Sequence, residues 1–434
     1  MRLLARLAVL RPLHLRDRLV GARLDVLRLR NFRNLFLGEA ASLLGDGLVP
    51  VALTWAVLDD LHASATALGL VLAAFSLPLV LFTLIGGVWA DRLRRELVMI
   101  ASDLVRLVTL GLIAALLLSG HAHVWSLAVL GFVYGCGDAF FFPAYTALIQ
   151  QIVPAGRLQE ANALRGMADG FGWFVGPSIS GLLVGLIGTG GTLAIDALTF
   201  LVSAGFLLSL RVPALLRSRA PESFGAELRH GWHEVRSRRW LLVMMLRAML
   251  VLFATIAPLQ ILGPLEVNAR FHSSTIWGLL VGLFSLGMLA GGVLALYYRP
   301  ARPMVVVAFC GTTASVPMVA LALRLSPAEL AAVWFLRGVA IGLLTAVWDA
   351  TLQRLIAPES MARVSSWDWM TSTGLWPLGL VLAGPIAQLV GLTDALWLSG
   401  AVGLGLSLWV LVVRDVWNLR DALPAPLSPG EAAP

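Results

Sequence analysis

Long apolar runs alternate with short polar breaks along nearly the whole chain. Runs of about 20 residues, enough to cross the hydrocarbon core of a bilayer, fall at 36–58, 66–89, 97–119, 124–148, 162–187 and 192–211. A polar stretch follows. Six more runs lie at 240–263, 275–297, 303–324, 328–354, 364–390 and 393–413. The pattern predicts an all-α membrane protein with twelve transmembrane helices in two six-helix bundles. The chain divides into an arginine-rich arm (1–35), a first bundle (36–211), a linker (212–239), a second bundle (240–414) and a tail (415–434).

The two bundles repeat one another. "FFFPAYTALIQQIVPAGRLQEANALRG" precedes "GWFVGPSISGLLVG" in the first, and "AVWDATLQRLIAPESMARVSSWDWM" precedes "LVLAGPIAQLVG" in the second. Each copy has a helix ending at a proline (Pro154, Pro358), a polar loop with arginine, and a Gly-Pro pair (176–177, 384–385). Two parallel six-helix repeats suggest a transporter with its site near the midplane between them.

Composition agrees with a lipid solvent. The chain is 59% hydrophobic and 13% charged, with mean hydropathy +0.85, where a soluble protein of this length would be about a quarter charged. The net charge is +7 and every basic residue is arginine. Arginines crowd the arm, the loop at 92–95 and the stretch 211–239, whereas the opposite loops hold Arg270 and Arg324. By the positive-inside rule both termini and the linker are cytoplasmic. The basic balance therefore points to membrane lipid as a partner and not to nucleic acid. The arm is broken by arginines and has no cleavage site, so it reads as a cytoplasmic segment, amphipathic on lipid or disordered, and not as a signal peptide.

Several function classes drop out. A phosphate-binding loop needs lysine, and there is none. The seven histidines fall in the arm or loops, with no H-E-x-x-H pattern. The two cysteines, Cys136 and Cys310, form neither a disulfide framework nor a metal cluster. No enzyme activity, cofactor or metal is expected.

Local motifs narrow the reading. "GGVWADRLRR", residues 86–95, resembles the loop between helices 2 and 3 of the major facilitator superfamily (MFS), with Arg94 where glycine is usual. "RNFRNLFLGEAASLLGD", "SATALGLVLAAFSLPLV", "ASDLVRLVTL" and the "FFFPAYTAL…VP…LQEANAL" stretch are similar to the branch of macrolide-efflux proteins and the enterobactin exporter. "GWFVGPSISG", residues 172–181, resembles the helix-5 motif of drug/proton antiporters, with Ser180 replacing a glycine.

The resemblance implies a secondary active transporter of the bacterial inner membrane, acting as a monomer. It would export a small amphipathic molecule by proton antiport with alternating access. Siderophore export on the same fold, or a non-transporting sensor, are the alternatives. The first loop would act as a cytoplasmic gate through Gly87, Asp91, Arg92 and Arg95. There Asp91 would accept hydrogen bonds from a helix N-terminus near 362–365. The helix-5 glycines Gly172, Gly176 and Gly181, with the bend at Pro177, would let a neighbouring helix approach, and Gly278 and Gly282 offer a matching smooth face.

Charges inside the apolar runs mark the candidate coupling site, since an ionisable group in hydrocarbon needs a partner or a function. Asp46 and Asp138 fall near the midplane at 1.5 Å per residue, on two helices that the resemblance places around the central cavity. They are candidates for carrying the proton; capping helix kinks beside Gly45–Gly47 and Gly135–Gly137 is the other reading. Arg337 would be their countercharge. Asp103 and Arg106, one turn apart, would neutralise each other as a structural pair. Asp169, Asp349 and Asp368 lie nearer the cytoplasmic ends, and Arg247 would snorkel. Trp55, Phe140, Phe141, Trp173, Trp348 and Trp376 could give an aromatic lining for an amphipathic cargo.

Overall fold

The structure is a computed structural model and describes residues 25–212, 232–298 and 300–419. Most of the predicted arm, linker and tail lies outside these residues, as do the side chains at 83–92, 155, 159, 173, 358, 359, 362 and 363. The described chain is helical. Its first half contains α1 (Arg30–Asp46), α2 (Val49–Trp55), α3 (Ala65–Arg92), α4 (Arg95–Leu118), α5 (Val124–Ile152) and α6 (Leu158–Leu208). The second contains α7 (Arg239–Val251), α8 (Ala257–Phe271), α9 (Ser274–Tyr297), α10 (Pro303–Thr312), α11 (Val316–Ala322), α12 (Pro327–Leu355), α13 (Pro358–Gly374), α14 (Trp376–Val390), α15 (Leu392–Leu408) and α16 (Arg414–Asn418).

Among the described residues, eleven helical segments are long and apolar enough to cross a membrane. The difference from the predicted twelve lies in α6. It runs for 51 residues, about 75 Å at 1.5 Å per residue, which far exceeds a bilayer. Gly188 interrupts it with φ 75° and ψ 174°, a backbone that L side chains rarely adopt. The predicted runs 162–187 and 192–211 correspond to the two arms on either side of this break.

Several apolar runs are bent where the sequence weakens the helical ladder. The first run breaks after Asp46, and Pro50 opens the next segment, where the prolyl nitrogen cannot donate. The Leu48 carbonyl at this break accepts a bond from Ser180 Oγ at 2.6 Å. The helix also starts at Arg30, before the predicted bundle boundary, tied to the end of α6 by Asn31 Nδ2 to the Arg211 carbonyl at 2.8 Å and Asn34 Nδ2 to Ser209 Oγ at 2.7 Å.

Within the first half α1 packs on α6, and α5 lies against α3 and α4. In the second, α9 and α10 pack on α12, and α11 on α15. The halves meet where α3 crosses α14 and where α6 crosses α9. Hydrogen bonds join described residues of the two halves near Asp59 and along the α6–α9 seam, where Ser178 Oγ donates to the Gly278 carbonyl at 3.4 Å. Asn268 Nδ2 donates to Asp59 Oδ1 at 2.7 Å, and Ser274 Oγ and Thr275 Oγ1 donate to the Gly181 carbonyl at 3.0 and 3.1 Å.

Candidate functional site

The site grows from the hairpin of α4 and α5. The turn is centred near residue 121, so Arg106 and Asp138 stand almost equally far from it and reach the same depth. Eleven residues separate Arg106 from the start of α4, about 16 Å of helix. Arg106 Nη1 lies 3.0 Å from Asp138 Oδ1, and Nη2 pairs with Asp103 Oδ1 one turn away. Gly137 makes room: a Cβ there would lie 3.0 Å from Arg106 Cγ and 3.2 Å from the Ser102 carbonyl. The guanidinium carbon lies 4.2 and 4.4 Å from the ring centroids of Phe141 and Phe200, so cation–π attraction offsets part of its desolvation.

A third carboxylate arrives from the helix break. Asp46 is the last residue of α1. Its Oδ2 is 3.9 Å from Arg106 Nη1, and its Oδ1 accepts a hydrogen bond from Tyr134 Oη at 2.8 Å. Asp196, buried on the second arm of α6, faces the same helix at Gly45, where a Cβ would strike its carboxylate. Its Oδ1 accepts from Thr199 Oγ1 at 3.1 Å.

Exposure separates the members. The side chains of Arg106 and Asp103 are 2% and 0% exposed, those of Asp46 and Asp138 32% and 38%. Arg106 can offset one of three carboxylate charges. If all three are ionised, two negative charges remain uncompensated, and a proton or cation reaching the open pair would offset one. The arrangement suits reversible proton exchange at Asp46 and Asp138 while Asp103 keeps the arginine anchored.

Two expectations need correction. Arg337 is not the countercharge of Asp46 or Asp138; Arg106 holds that position. Arg337 lies on α12 in the other half, 4.3 Å from the centroid of Phe284, with no carboxylate partner among the described residues. Nor are Asp103 and Arg106 a self-contained pair. Depth alone matched Arg337 to the acids, whereas the hairpin brings Arg106 alongside Asp138. Equal spacing about the α4–α5 turn was the signal that could have found it. Tyr134 and Phe200 join the site from apolar runs with no local mark, whereas Asp196, a charge inside the run 192–211, carried the same signal as Asp46 and Asp138 and was missed.

Twelve predicted apolar runs, two packed helical halves and buried charge at mid-depth now meet an independent comparison. The sequence profile of the Major Facilitator Superfamily matches residues 35–379. The chain belongs to the Major Facilitator Superfamily. It is similar to Macrolide efflux protein A of Streptococcus pyogenes, 24% identical over 399 residues, covering 89% of this chain and 97% of that protein. It is also similar to Multidrug efflux pump Tap of Mycolicibacterium fortuitum, 28% identical over 369 residues, covering 80% and 87%. The fold matches the nucleoside transporter NupG with TM-score 0.69 at 12% identity, over 90% of this chain and all of that one. A bacterial homologue of the iron transporter ferroportin matches with TM-score 0.69 at 16% identity, over 89% and 99%. The protein is a multi-pass membrane transporter and not an enzyme.

Gly87, Asp91 and Arg92 end α3, in the segment whose side chains lie outside the description. Arg95 Nη1 donates to the Ala147 carbonyl at 2.9 Å and to Gln151 Oε1 at 3.2 Å, binding α4 to the end of α5, while Arg94 pairs with Glu96 at 2.6 Å. The helix-5 motif serves two neighbours. Gly172 and Gly176 lie against Leu43 and Gly47 at the helix break, and a Cβ on Gly176 would sit 2.5 Å from Gly47 Cα. Pro177 and Gly181 instead face Gly278 and Ser274 across the seam, and Gly282 lies against Ser178.

The expected aromatic lining divides. Trp55 and Phe141 are 3% and 4% exposed, packed into cores instead of lining open space, Phe141 beneath Arg106. Trp376 packs against the core formed by both halves. Trp348 Nε1 donates to Asp368 Oδ2 at 3.0 Å, and its ring meets Trp240 edge-on. Phe140 lines an apolar groove of about 750 Å³ along α4 and α5, with Leu97, Val105, Val133 and Cys136. The side chain of Trp173 lies outside the description.

Proposed function

We propose that this protein exports a small amphipathic molecule, such as a macrolide-like drug, in exchange for protons. The observation that carries this reading is the cluster of three carboxylates around Arg106, two of them open. A proton taken at Asp46 or Asp138 weakens the hold on Arg106, and its release restores it, so protonation can bias how α1, α4 and α5 pack. The similarity to a macrolide efflux protein and a multidrug efflux pump supports the cargo class.

The seam between the halves supports alternating access. Among the described residues, Asn268 bonds Asp59 and Thr275 bonds the Gly181 carbonyl across the halves, and parting them would open that side. The loop at Gly87, Asp91, Arg92 and Arg95 would then latch the other side. Counting the arms of α6 as two spans gives twelve, in bundles 36–211 and 240–414 joined by the 212–239 linker. Both termini would face the cytoplasm of a bacterial cell, and the transporter would work as a monomer in the inner membrane.

The test is drug accumulation in cells lacking other pumps, with and without a protonophore. Expression should lower accumulation of a radiolabelled macrolide, and the protonophore should abolish the difference. Export that persists with the proton gradient collapsed would contradict the reading.

A further inference from the structure

Three arginines are buried among the described residues: Arg106, Arg247 and Arg337. Arg106 has three carboxylates. Arg247 donates from Nη2 to the Ala308 carbonyl at 3.3 Å. Arg337 has neither. It is 8% exposed, no described residue accepts a hydrogen bond from it, and its Nε is sealed from solvent without a partner. The terminal nitrogens are not among the sealed, unpartnered atoms.

Local sequence offers it no relief. Positions 333, 334, 340 and 341, which share its face of α12, are Val, Trp, Ala and Ile. Ten residues separate Arg337 from the start of α12, about 15 Å of helix, well inside the hydrocarbon. A cation held there without a counter-anion costs stability. What the site does provide is geometry. The guanidinium carbon lies over the Phe284 ring, 4.3 Å from its centroid. A planar guanidinium carries its N–H donors in its own plane, in the fork that grips a carboxylate with two parallel hydrogen bonds.

We propose that Arg337 is an anion-binding subsite of the second half, and that it takes the carboxylate of an organic acid or zwitterionic cargo. This rests on the export reading only in treating the ligand as cargo. The first half presents open carboxylates and the second an unmatched cation, so the site would accept opposite charges on one molecule.

Trp334, one turn away and 1% exposed, supplies a fluorescence reporter. Purified full-length protein is titrated with phenylacetate and with its neutral amide, phenylacetamide. Wild type should bind the carboxylate at least tenfold more tightly. Arg337→Met should erase that preference, and Arg337→Lys should retain part of it. Without ligand, Arg337→Met should melt at a higher temperature than wild type, because an unmatched buried charge is gone. Phenylacetate should raise the melting temperature of wild type but not of Arg337→Met. Equal affinity of wild type for the two probes, no binding of either, or a preference that survives in Arg337→Met would each overturn the proposal. Neither readout needs transport, so these failures would leave proton-driven export through Asp46 and Asp138 standing.

Discussion

Arg106 and Arg337 sit at similar depths in opposite halves, each against aromatic rings and each nearly sealed from solvent. Arg106 is surrounded by Asp46, Asp103 and Asp138. Arg337 has no carboxylate within reach among the described residues. The same helical plan therefore holds buried charge in two ways. In the first half the cation is structural and the acids exceed it; in the second the cation itself is the excess. Burial of a charge does not by itself reveal its role; the balance of charge around it does.

The strongest way to break this comparison is to remove each arginine. Arg106→Leu leaves three carboxylates without a cation, and removing one partner of a buried ion cluster costs about 3–5 kcal/mol. Its melting temperature in detergent should fall far below wild type, the opposite sign to Arg337→Met. Unchanged melting of Arg106→Leu would mean that the acids are held by something else.

A smaller effect is expected at the helix break that delivers Asp46. Gly176→Ala would drive a Cβ into the Gly47 backbone, an overpacking of about 1–3 kcal/mol, and would push Asp46 from Arg106. Gly405→Ala in α15 meets nothing within 4 Å and should be neutral or slightly stabilising, since alanine favours helix. Equal melting of the two variants would show that the glycine contact does not seat the site.

The smallest effect belongs to an ion pair outside the membrane. The Arg238 side chain hydrogen-bonds the Glu234 carboxylate and holds its carboxyl below the usual range. A depressed carboxyl adds stability above its unfolded titration and loses it as pH falls through the folded value. The two side chains are 29% and 33% exposed, so water and salt screen the pair. Glu234→Gln should lower the melting temperature only slightly at pH 7, and wild type and variant should converge as pH falls through the folded carboxyl's titration. A clear loss at pH 7 would place this pair among the supports of the fold.

Much of this was legible in the residues. Apolar runs of bilayer length located the helices, and charges within those runs marked Asp46 and Asp138. The rest depended on tertiary register. Arg106 looked satisfied by Asp103 because an i, i+3 pair is visible in sequence, whereas Asp138, 32 residues on, is brought alongside by the fold of the hairpin. Tyr134 and Phe200 carry no signal apart from other apolar residues. Arg337 was found as a buried charge, but only packing shows that it faces Phe284 and no acid. The two arms on either side of Gly188 were already legible as the separate runs 162–187 and 192–211, but nothing among the neighbouring glycines singled out Gly188 as the break.

The central claim is that Asp46 and Asp138 carry the proton. It is tested most directly by purified Asp46→Asn/Asp138→Asn protein in liposomes under an imposed pH gradient. Arg106 keeps Asp103 in this variant, so the protein should remain folded. Wild type should concentrate a radiolabelled macrolide against its gradient. The variant should fail to do so, yet still exchange labelled for unlabelled drug. A double variant that concentrates the drug as wild type does would contradict the account.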